Sequence, residues 1–110
     1  MPIDIGAIAK SMFDAAFPIL KKEAPQIGAF ALGELNKLAQ QIEIIGNELA
    51  SGQINEDEAR ILLDMQKSAA RVVLLTAKGT TLLAVEQSLN AALNVVKDVV
   101  NGALGVRLVG

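Results

Sequence analysis

Apolar residues recur along this chain at the spacing of helices, in runs separated by only a few turn signals. Ile5, Ile8, Met12, Ala16 and Ile19, with Ala9, Phe13 and Leu20 beside them, predict a first helix over about 4–23. Asp4 suits its N-cap, and Lys21 and Lys22 suit its C-terminus. Pro18 lies inside this pattern; it removes a backbone donor and predicts a kink or stop near Phe17. Ala24-Pro25 marks a joint, with Pro25 suited to the first position of a second helix over about 26–50. In that helix Ala31, Leu35, Leu38, Ile42, Ile45 and Leu49 step by four and three, the spacing of a coiled-coil seam. Phe30, Leu32 and Ile44 widen this stripe toward a second face, while Gln26, Glu34, Lys37, Gln41 and Glu48 form the wet side.

Ser51-Gly52-Gln53-Ile54 is the clearest interruption, with Gly52 able to take the left-handed conformation that closes a helix. Asn55-Glu56-Asp57-Glu58 follows. It reads as a capping box, with three acids where the helix dipole is positive. Beyond it no proline occurs. Polar residues recur at Arg60, Asp64, Lys67, Arg71 and Lys78 and again from Glu86 to Asn101. Leu82, Val85, Leu89, Ala92, Val96, Val99 and Ala103 form a second four-three ladder. The favoured reading is one helix over about 56–102, bent at Gly79; two helices broken at Gly79-Thr80-Thr81 are the alternative. One such helix would span roughly 70 Å, against about 36 Å for the second, so half of it would need another partner. Asn101-Gly102 and Gly105 close it, and the tail Val106–Gly110 either packs as an extended segment or frays. The fold class is therefore all-α: a single domain, built as a helical hairpin or three-helix chain with one long C-terminal helix, assembling into an oligomeric helical bundle.

Composition sharpens this expectation. The chain has 110 residues, of which 52% are hydrophobic and only 20% charged. That is more apolar surface than a short hairpin hides, so a second chain or a lipid surface has to cover the rest. The segment from Gly79 onward carries only Glu86, Lys97, Asp98 and Arg107 as charges. Its ladder, Leu82, Val85, Leu89, Ala92, Val96, Val99 and Ala103, is the expected interface, and Leu89→Asp or Val96→Asp would then dissociate the assembly. Ten basic residues against twelve acidic ones, with no basic stripe interleaved with aromatics, disfavour nucleic acid. No charge-free apolar stretch reaches the ~18–20 residues of a spanning helix, since Lys78 interrupts Val72–Val85. The N-terminus has no basic region ahead of an apolar run, so a cleaved signal peptide is not expected. These features point to the cytoplasm, with export by another route left open.

The chain contains no histidine, cysteine, tryptophan or tyrosine. Ser-His-Asp and Cys-His arrangements are impossible, as are Glu-x-x-His di-metal sites and thiolate metal sites. Glu56, Asp57, Glu58 and Asp64 are the one acidic cluster, and capping with dipole complementation accounts for them. Lys78, in an apolar stretch, is expected to snorkel to solvent or to pair with Glu86 or a partner helix. Asn90, Asn94, Asn101 and Gln87 line one side of the terminal segment, either as an uncharged wet face or turned toward a partner. Ala24/Gly28 and Ala29/Gly33 are small-residue pairs that permit close helix approach. No catalytic, cofactor-binding or metal-ligating residue is expected. The expected function is a non-enzymatic structural or protein-interaction module that self-associates as a homo-oligomer or takes a helical protein partner. The alternative is a membrane-surface, lipid-interacting amphipathic protein.

Overall fold

A computed structural model describes residues 4–105 together with 108 and 109. The described residues form four helices and no strand: α1 (Ile5–Leu20), α2 (Gly28–Ala50), α3 (Glu56–Leu74) and α4 (Leu82–Leu104).

Local chemistry sets most of the helix ends. Asp4 caps α1 by accepting a hydrogen bond from the Ala7 amide at 3.1 Å. α1 runs through Pro18 to Leu20, so the helix does not stop at Phe17. Proline costs a helix interior about 3 kcal/mol. Burying Leu20, which is fully covered, offsets much of this at about 1.5–3 kcal/mol. The Lys21 and Ala24 amides also close back onto Phe17 and Leu20. Pro25 lies in the connecting turn, and α2 begins three residues later at Gly28. At its far end Gly52 takes φ +79°, the Gln53 amide reaches the Glu48 carbonyl and the Gly52 amide reaches that of Leu49. This pair of bonds is the Schellman closure that Gly52 predicts. The Asn55 capping box forms in full: Glu58 N–H donates to Asn55 Oδ1 at 2.8 Å and Asn55 N–H to Glu58 Oε1 at 3.0 Å.

The single long helix expected over 56–102 is replaced by two. α3 stops at Leu74, and residues 75–81 reverse the chain. Thr80 Oγ1 donates to the Leu74 and Ala77 carbonyls, supplying partners that a continuing helix would have given. Gly79 adopts φ +96°. Thr81 then caps α4 by accepting from the Ala84 amide at 3.2 Å and donates to Glu23 Oε2 at 2.8 Å. The physical reason is cover. A straight helix would leave half its apolar ladder wet, whereas folding back lays it on α1 within a molecule only 42 × 23 × 18 Å in extent.

α1 is the central element, packed most extensively on α4 and also on α2; α3 leans on α2 and touches α4 only lightly. Met12, Leu20, Leu35, Ile42, Leu74, Val85, Leu89 and Val100 are the largest fully covered apolar side chains and join all four helices in one core. α4 passes through Asn101-Gly102 and ends at Leu104, with Gly105 as its left-handed cap. Of the tail, Leu108 and Val109 are buried in the core; Val106, Arg107 and Gly110 lie outside the described residues.

Candidate functional site

The ladder expected to form an interface is mostly internal. Val85, Leu89, Ala92 and Val96 are buried in the chain's own core, and Ala103 packs against it partly covered. Only Leu82 and Val99 of that set are exposed. These positions supply the face on which α1 lies, so they are not free to receive another chain. A four-three ladder states that a helix has an apolar face; it does not say whose residues cover it.

Uncovered aliphatic side chains remain on α4 at Leu82, Leu83, Val95 and Val99, outside its buried line, and a further set lies on α3. Its inner line of Ala59, Leu63, Ala70 and Leu74 is buried. Ile61, Met65 and Val72 are 60%, 59% and 64% exposed. At about 100° per residue these three fall within roughly 40° of one another, on the side of the helix opposite the inner line. Ser68 and Ala69 lie between them and Leu75 follows, all exposed. α3 thus carries apolar residues on both its inner and its outer face. The polar positions Arg60, Asp64, Lys67 and Arg71 lie on the flank beside this outer line and mask it in the sequence. Its signal was present: Ile61, Met65, Ser68, Val72 and Leu75 step by four, three, four and three. On α2, Phe30, Leu32 and Ile44 also remain exposed rather than widening the buried stripe, while Glu34, assigned to the wet side, is buried and bonded to Lys37 Nζ at 3.2 Å.

Where α3 faces α4 the contact is polar. Arg71 forms an ion pair with Glu86, and Lys67 Nζ donates to Asn90 Oδ1 at 2.7 Å. Of the two outcomes expected for Lys78, exposure to solvent holds: it lies exposed in the reversing turn, and Glu86 pairs with Arg71. A cleft of about 380 Å³ opens further along this seam, walled by Asp64, Lys67, Asn94 and Lys97 and floored by Leu93 and Leu108. Asn101, expected to face water or a partner, holds the tail. Its Nδ2 donates to the Val109 carbonyl at 2.8 Å, and its Oδ1 accepts from the Leu108 and Val109 amides at 3.0 and 2.9 Å. Asn101→Ala is therefore expected to release the tail. Hydrogen exchange at the Leu108 and Val109 amides should accelerate at least about tenfold, while the Leu35 and Ile42 amides keep their protection. Equal protection of the tail in both proteins would show that burial alone secures it.

A larger cleft, about 600 Å³, lies between the α1–α2 and α3–α4 connections and is lined by Pro25, Ile27, Phe30, Thr76, Ala77 and Lys78. Gly79 backs onto the Glu23 carbonyl there. Among the described residues no group of three or more acidic side chains is placed to hold a metal ion, and no helix is long and apolar enough to cross a membrane. The acids at the start of α3 are engaged locally, Glu58 in the capping box and Asp57 with Arg60. No protein-family profile matches this chain, nor does any curated protein or solved structure.

Proposed function

We propose that this chain is a non-enzymatic protein-interaction module that works through the outer face of α3. One observation carries the reading: Ile61, Met65 and Val72, each about three-fifths exposed, share one line on a helix whose opposite line is already buried. Single exposed aliphatic residues are ordinary, but several aligned on one helix form a patch whose burial gains roughly 25 cal/mol per Å². The inventory of side chains supports the same reading, since the chain has neither histidine nor cysteine for acid-base or nucleophilic work.

The test is a photo-crosslinking amino acid placed at Val72, and for comparison at Gln40, an exposed polar position on α2. Irradiation of the native cells should give protein adducts from position 72 and not from position 40. Adducts to lipid alone would replace this proposal with the membrane-surface reading. Indistinguishable patterns from the two positions would overturn it.

A further inference from the structure

We infer that the occupant of the outer face of α3 is a second copy of this chain, paired antiparallel about a two-fold axis close to Ser68. The inference rests on the reading of that face as a protein-interaction surface and names its partner.

Two features of the face point to self-pairing. The first is its pattern. Ile61, Met65, Ser68, Val72 and Leu75 map onto themselves when the direction of the helix is reversed, to within one residue. Ile61 of one copy then meets Leu75 of the other, and Met65 meets Val72. The small exposed residues Ser68 and Ala69 fall at the crossing point, where they let the two backbones approach. A face that is its own complement under a two-fold rotation is what an isologous dimer requires.

The second is charge. Residues 56–64 carry four acids, Glu56, Asp57, Glu58 and Asp64, and one base, Arg60. Residues 65–74 carry Lys67 and Arg71 and no acid; Arg71 is shared with Glu86 of α4, and Lys67, bonded to the neutral Asn90, keeps its full positive charge. Antiparallel pairing sets the acidic half of each helix beside the basic half of the other. Parallel pairing would set acid beside acid and base beside base. The exposed line from Ile61 to Leu75 is about 21 Å long, so the buried surface lies at the small end of the range for specific dimers, and the complex is weak and concentration-dependent.

The absence of cysteine from the chain makes single introduced thiols clean reporters. Ser68→Cys should oxidise to a disulfide-linked dimer much faster than Gln40→Cys. An equimolar mixture of Ile61→Cys and Leu75→Cys should give mixed dimers well beyond the twofold excess over either homodimer that random pairing would produce. Sedimentation velocity of the unmodified chain, from low to several hundred micromolar, should show a monomer–dimer equilibrium. Val72→Glu, at an exposed position, should raise its dissociation constant by about tenfold or more with the helical circular dichroism unchanged. Homodimers of Ile61→Cys in excess of mixed ones would mean a parallel pair and overturn the inference. So would a chain that stays monomeric throughout the concentration range. In that case photo-adducts from position 72 to a different protein would leave the interaction reading standing and remove only self-pairing.

Discussion

Leu89→Asp is expected to abolish the folded state rather than split an assembly. Leu89 is fully covered in the middle of α4, among Val85, Ala92 and Val96. Truncation to alanine at such a site costs about 2–5 kcal/mol. Aspartate adds the desolvation of a carboxylate, worth several kcal/mol more when no partner is at hand. The adjacent Ser88 hydroxyl already donates to the Val85 carbonyl at 2.8 Å and is itself buried. A domain of this size holds about 5–15 kcal/mol in all, so the variant should lose its cooperative urea transition and most of its helical circular dichroism. Val99→Asp is the matched control. Val99 is 63% exposed on the same helix, and the change should stay within about 0.5 kcal/mol. A Leu89→Asp chain that melts like its parent would mean that the α4 ladder is not internal, and the packing described above would fall with it.

Gly79→Ala is the second large effect, and its comparison with Gly52→Ala isolates the cause. Both glycines hold positive φ, +96° and +79°. An alanine Cβ at 79 would sit 2.6 Å from the Glu23 carbonyl oxygen, which is backbone and has little room to move. At 52 nothing lies within 4 Å. Gly52→Ala should therefore cost only the left-handed conformation, about 1–2 kcal/mol. Gly79→Ala adds a steric displacement of the two connections against each other, for a total of about 2–4 kcal/mol and a fall in melting temperature on the order of 10 °C. The hydrogen bond from Thr81 to Glu23 should weaken with it, since the same approach holds both. Similar losses at the two glycines would show that conformation alone matters at Gly79, and that the junction of the two connections is looser than the geometry implies.

The exposed aliphatic line on α3 has a clear signal in the sequence that a search for one amphipathic face misses. α3 bears apolar residues on two opposite lines, with Arg60, Asp64, Lys67 and Arg71 on a flank between them. Read for one amphipathic face, that helix yields its inner line and hides the outer one among nominally solvent positions. The reverse error befell α4, whose single strong line looked available for a partner because half of an unbroken helix would have had nothing to cover it.

Features confined to a few neighbouring residues were legible in the order of amino acids alone. The Asn55–Glu58 box, the Gly52 closure, the Asp4 cap and the buried α2 line from Ala31 to Ile45 each depend on atoms no more than about a turn apart, or on the helical period itself. Only the tertiary structure decided that the chain turns back at Gly79, that α1 covers Val85, Leu89 and Val96, that Asn101 binds the tail, and that Ile61, Met65 and Val72 stay outside. Those outcomes depend on which distant residues arrive to bury a given face. Periodicity is the same whether the covering side chains come from the same molecule, from another, or not at all.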